Sequence, residues 1–140
     1  MPQLTKTFRI VARDFTRAGE VSVHVRTILK GIGFDSALMR RISLCAYEAE
    51  MNVVMHGGEG TLELNIEPEQ ITLLVNDNGP GIKDIDLALQ EGYSTATPEH
   101  REMGFGAGMG LPNIKKSADF FEMNSEEGKG THLKVGFRVG

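Results

Sequence analysis

Glycine stands at every second position through Gly104, Phe105, Gly106, Ala107, Gly108, Met109, Gly110 and Leu111. Such a run lets the backbone approach a ligand closely, at an entropic cost to folding. The residues that follow, Pro112, Asn113, Ile114, Lys115, Lys116 and Ser117, read as a short helix with proline in its first turn. Free N–H groups and the positive end of a helix dipole then converge on one place. That is a phosphate cradle in physical terms. A plain linker would be more polar and richer in serine, without Phe105, Met109 and Leu111.

Three common phosphate-binding patterns do not fit. The spacing G-x-G-x-x-G puts its last glycine where this chain has Met109 or Leu111. That disfavours the dinucleotide fold and the glycine loop of the eukaryotic-type protein kinases. The P-loop needs Gly-Lys followed directly by Ser or Thr. In Gly128-Lys129-Gly130-Thr131 a glycine intervenes.

The elements that must hold this loop follow from periodicity. Residues 4–12 read as a strand, at an edge because of their charges. Val21, Val25, Ile28, Leu29 and Ile32 mark the buried face of a first helix, ended by Gly31 and Gly33. His24 and Arg26 lie off that face, in solvent. Asp35 is a helix N-cap, and a second helix runs over residues 36–55 with Leu38, Ile42, Cys45, Ala49 and Val53 inward. Cys45 in that stripe reads as a small core residue. Glu48 and Asn52 share a neighbouring face, one turn apart. Glu50 reads as solvated.

Residues 61–66 and 71–75 form a hairpin, the second strand being the more central. The chain from Asn76 to Gly81 then leaves the sheet as a tight loop. Residues 84–90 read as a short helix and 92–103 as an aperiodic, polar lid. Strands over 120–124 and 131–139 close the chain. The expected fold is α+β, a two-layer sandwich whose mixed, largely antiparallel sheet is covered on one face by helices. With 140 residues, one domain over 1–140 is expected. The net charge of −4 offers no basic footprint for nucleic acid. No apolar run reaches membrane-spanning length. A single cysteine excludes an internal disulfide and fits a reducing, cytoplasmic setting.

Glu48-x-x-x-Asn52, Asp77-x-Gly79-x-Gly81, the run Gly104 to Gly110, and Gly130-Thr131 occur in this order. Together they resemble the nucleotide boxes of the histidine-kinase-like (GHKL, or Bergerat-fold) ATPases. The stretch from Glu48 to His56-Gly57 looks like the E-x-x-x-N-x-x-x-H-G form of the bacterial anti-sigma-factor serine kinases. The run from Gly108 through Pro112 and Asn113 to Lys116 looks like the switch-protein kinases of the general stress response.

The resemblance implies ATP or ADP with Mg²⁺ as cofactors. It gives Asn52 a metal-ligating role, which suits a cation that prefers oxygen. It places Asp77 on the adenine amino group, although Asp77 is also a natural Asx-turn residue and both roles can hold together. Gly79, Gly81 and Ile82 would line the purine, and Gly104 to Leu111 would cradle the phosphates. Thr131 would support Asp77, or be an ordinary strand residue. Glu48 would be the base for a serine hydroxyl, and Arg101 a contact to the γ-phosphate. His56 reads as packing the helix end. Lys115 and Lys116 read as solvent-facing.

The implied activity is an ATP-dependent serine/threonine kinase acting on an STAS-domain anti-sigma-factor antagonist. A rival reading is a nucleotide-bound module that sequesters a sigma factor or another regulator. A fragment of a histidine kinase or a DNA-repair or topoisomerase ATPase is disfavoured. The length leaves no room for a phosphoacceptor-histidine helix pair or a transducer domain. Some branches dimerise, so a homodimer is left open.

Overall fold

The computed structural model describes residues 3–56, 58–79, 110–126 and 128–139. In chain order these form β1 (Leu4–Ile10), α1 (Glu20–Ile32), α2 (Ser36–His56), β2 (Gly60–Ile66) and β3 (Gln70–Asp77), then α3 (Gly110–Ser117), β4 (Phe120–Glu126) and β5 (Gly130–Arg138). The expected helix over 84–90 and the lid over 92–103 lie outside the described residues. Among the described residues no helix is long and apolar enough to cross a membrane.

The strands form one sheet in the order β1-β2-β3-β5-β4. Every described neighbouring pair is antiparallel, so no mixed pairing occurs among them. Alternation sets the faces. In β2, Leu62, Leu64 and Ile66 are fully buried, while Thr61 is exposed and Glu63 and Asn65 are half-buried. β3 is central and carries Ile71, Leu73 and Val75 into the core with Leu133, Val135 and Phe137 of β5. The helices supply Val25, Leu29, Ile42, Cys45, Val53 and Ile114 against them. Full burial of an aliphatic side chain is worth about 1.5–3 kcal/mol, whereas helix propensities differ by about 0.7 kcal/mol or less for ordinary residues. The inward stripe of Leu38, Ile42, Cys45, Ala49 and Val53, all buried, therefore holds α2 in place.

The helix ends are closed locally. Leu38 N–H donates to the Asp35 carboxylate at 3.2 Å, the expected N-cap of α2. α1 ends at Gly33, left-handed at φ 98°, whose N–H donates to the Leu29 carbonyl at 3.1 Å. Ile32 falls at this ending and is 43% exposed, so the apolar face of α1 stops one turn earlier than its spacing predicts. Arg41 of α2 straps the far end of α3. Its Nε–H donates to the Ser117 carbonyl at 2.9 Å, and its guanidinium pairs with Asp119 at 3.2 Å.

Two readings need correction. Asp77 is the last residue of β3 and not a loop residue, because it pairs with Gly60 of β2 on one side and Thr131 of β5 on the other. Glu50 is not solvated. It is 2% exposed, and its carboxylate accepts N–H bonds from Gly19 at 3.0 Å, Val21 at 3.3 Å and Ser22 at 3.0 Å. The α1 N-cap, Gly19, has no side chain to do this, so α2 supplies the missing cap. Burial pushes the Glu50 carboxyl upward, and the N–H groups of Ser22, Val21 and Gly19 pull part of that back.

Cys45 is buried, with its thiol directed at the Ile114 carbonyl 3.8 Å away, and desolvation pushes its pKa up to about 12. The thiolate fraction near pH 8 is then about a thousandfold below that of an ordinary cysteine. Native protein should resist a thiol-specific disulfide reagent at pH 8 and react fully in denaturant. Prompt stoichiometric labelling of the native chain would contradict this burial.

Candidate functional site

α2 presents Glu48 and Asn52 to the start of α3. An added Cβ at Gly110 would lie 3.2 Å from Glu48 Oε2 and 3.6 Å from Asn52 Oδ1. Only a residue without a side chain leaves that space open. The Asn113 side chain, one turn further along α3, lies close enough to the Glu48 carboxylate to act on it. Desolvation raises the Glu48 pKa above the ordinary carboxylate value, and the Asn113 side chain offsets part of the rise. Glu48 and Asn52 are both half-buried. A partly desolvated carboxylate with a raised pKa is a better proton acceptor than a solvated one.

The other half lies at the end of β3. The Asp77 carboxylate accepts the Gly79 N–H at 2.9 Å, an Asx-turn that starts the loop. Asp77 is gripped from both sides. A Cβ on Gly60 would come within 3.2 Å of Asp77 Cβ and 2.9 Å of Val53 Cγ1. Gly130, at φ 88°, would drive a Cβ into the Asp77 carbonyl. Thr131 stands opposite Asp77 in the β3–β5 register, and its hydroxyl lies 2.9 Å from that of Ser125. Ser125 in turn donates to the Gly130 carbonyl at 3.0 Å.

Val53 joins the halves. It directly follows Asn52 on α2 and packs by Gly60, which pairs with Asp77. The structure thus brings Glu48, Asn52 and Gly110 together, with Asp77, Gly79 and Thr131 at the adjoining strand end. Leu111 is half-buried and packs against the core. Gly81, Ile82, Arg101, Gly104, Phe105, Gly106, Ala107, Gly108 and Met109 lie outside the described residues.

Sequence reading missed Asn113 and Gly60. Asn113 follows Gly110 by three residues, helical spacing that puts both on one face of α3. Gly60 carries no local signal, because its reasons are the Asn76 carbonyl and Val53, both distant in sequence from any pattern around it.

An open antiparallel sheet with helices on one face makes an α+β sandwich, in which a carboxylate and an amide of α2 lie beside the glycine that opens α3. The profile of the histidine kinase-, DNA gyrase B- and HSP90-like ATPases matches residues 37–140. The chain belongs to that family. It is 29% identical over 114 residues to the serine/threonine-protein kinase RsbT of Bacillus subtilis, covering 79% of this chain and 80% of that protein. It is 34% identical over 104 residues to an anti-sigma F factor of Thermoanaerobacter sp. (strain X514), covering 71% and 69%. Among solved structures, a mycobacterial sensor histidine kinase, MprB, superposes with a TM-score of 0.56 at 13% identity, covering 97% of this chain and 98% of that one, which supports the fold.

Proposed function

We propose that this chain, as a single domain over residues 1–140, is an ATP-dependent serine/threonine kinase of the anti-sigma or switch type. Its substrate is a serine or threonine on an STAS-domain anti-sigma-factor antagonist in the cytoplasm. The supporting observation is Glu48, half-buried with a raised pKa, beside Gly110 and Asn52. The names of the RsbT and anti-sigma F relatives point the same way.

The residues present fit Mg-ATP. The open space at Gly110 lies at the N-terminus of α3, where N–H groups face outward. Asn52 would offer its amide oxygen to the metal, with phosphates as the other ligands. Asp77 would accept the adenine amino proton, supported by Thr131, with Gly79, Gly81 and Ile82 along the ring. Gly104 to Leu111 would hold the phosphates, and Arg101 would meet the outermost one. Bound Mg-ATP supplies the phosphoryl group and the charge that neutralises it. Glu48 would orient the acceptor hydroxyl and take its proton at a carboxylate oxygen. Phosphoryl transfer gains most from such positioning and charge stabilisation.

A second reading is a nucleotide-bound module that sequesters a sigma factor without appreciable transfer. The anti-sigma F relatives favour keeping it. The discriminating experiment is single-turnover transfer from labelled ATP to STAS domains of the same genome. Labelled STAS protein supports the kinase. ATP binding without label on any of them favours the module.

Asp77→Asn tests the adenine contact. A charge-assisted hydrogen bond contributes about 1.5–3 kcal/mol, so ATP affinity should fall about tenfold or more. Calorimetric titration of both proteins measures it. Equal affinities would remove Asp77 from the adenine site.

A further inference from the structure

Glu50 lies two residues from both Glu48 and Asn52, yet serves the opposite side of α2. At about 100° per residue, Glu48 and Asn52 are about 40° apart, and Glu50 is about 160° from each. Its two carboxylate oxygens are both engaged. One takes the Gly19 and Val21 N–H groups and the other takes Ser22. A buried carboxylate at the positive end of α1 is thus fully bonded and fixed in place.

We propose that Glu50 is a positioning residue for the site. It locks the rotation and axial register of the α2 turn that carries Glu48 and Asn52. Across the helix, that turn meets α3 through the close approach of Gly110 to Glu48 and Asn52, with the Asn113 side chain beside Glu48. The helix is therefore held from two sides. The buried stripe still holds the helix as a whole when the α1 side is released, but the turn that carries Glu48 and Asn52 can shift locally, and Glu48 moves relative to Asn113. Catalytic geometry tolerates little such movement, since a displacement of about 1 Å can cost about a hundredfold in rate. The inference rests on the kinase reading for its rate consequence, but not for the clamp itself.

Glu50→Gln is the informative change. It keeps the size, but whichever way the amide turns, its NH₂ faces at least one backbone N–H. The first readout needs no nucleotide: the NMR signal of the Asn113 side-chain amide in the free protein. Glu48→Ala marks its position without the neighbouring carboxylate. In Glu50→Gln the signal should move at least halfway to that mark. A mere loss of global stability would lower the melting temperature and leave the native signal in place. An unmoved signal would overturn the proposal.

The second readout is transfer to the STAS domain at saturating Mg-ATP. Glu50→Gln should slow it by about 10- to 100-fold with Glu48 present, but by less than about threefold in a Glu48→Gln background. Equal losses in both backgrounds would also overturn the proposal. A wild type that transfers nothing defeats the kinase reading alone, and the amide signal still decides the clamp. Should Glu50→Gln fail to fold, Glu50→Asp keeps the charge, withdraws it by one methylene, and carries the same measurements with the same expected outcomes.

Discussion

Glu48→Gln should lower single-turnover phosphotransfer by about a hundredfold while ATP affinity moves by less than about threefold. Glutamine keeps the size of the side chain and an oxygen facing Asn113, so the shape of the site survives. Asn52, the residue proposed to hold the metal, is untouched. What is lost is a carboxylate whose burial has raised its affinity for protons. General-base catalysis is worth about 10²–10⁴-fold. The lower end is expected because a loose phosphoryl-transfer transition state asks little of its base. Asn52→Ala should lose Mg-ATP binding and transfer together, which separates the two roles. The measurements are quenched-flow transfer and equilibrium nucleotide binding. Transfer at the wild-type rate in Glu48→Gln would take Glu48 out of the mechanism.

Gly130→Ala should cost about 3–5 kcal/mol of stability, at the upper end for a single substitution. Two effects combine. Its φ of 88° is strained for any residue with a Cβ, and the new methyl would collide with the Asp77 carbonyl. The β3 and β5 strands would have to part where Asp77 pairs with Thr131. Gly128 is the internal control, because it also has a positive φ, 82°, but its Cβ would meet nothing within 4 Å. Gly128→Ala should cost about 1–2 kcal/mol, the conformational strain alone. Urea unfolding of both variants measures the gap. A difference under about 1 kcal/mol would mean that the β3–β5 contact yields easily, and Asp77 is not rigidly placed.

Much of this was legible. The stripe from Leu38 to Val53 announced α2, because burial on one helical face leaves a 3–4 spacing in any single sequence. The Glu48–Asn52 pairing followed from the same geometry. Glu50 was misread because charge suggests solvent. In the fold Ala46, four residues before it, and Val53, three after it, are both buried, so Glu50 shares a buried side of α2 that the stripe from Leu38 to Val53 does not include in full. Its partners could not be read, since Gly19, Val21 and Ser22 are about thirty residues away and bind through backbone atoms that carry no residue signature. The end of β3 was placed too early for a related reason. Asn76 and Asp77 favour turns locally, and only pairing with β2 and β5 keeps them in the sheet.

The position of β1 has a consequence for synthesis on the ribosome. Its only described strand neighbour is β2, and Ile10 pairs with Gly60. At about 5–20 residues per second, β1 waits several seconds after emergence before β2 exists. During that time it is an unpaired strand, the form most prone to stick to other nascent chains. Its sequence suits the wait. Thr5, Lys6, Thr7 and Arg9 are exposed even in the finished protein, leaving Leu4, Phe8 and Ile10 as the apolar positions. Replacing Lys6 with valine would leave the core of the finished fold and the Arg9–Glu59 pair unchanged. The resulting loss would appear as lower soluble yield during translation, not as a lower melting temperature.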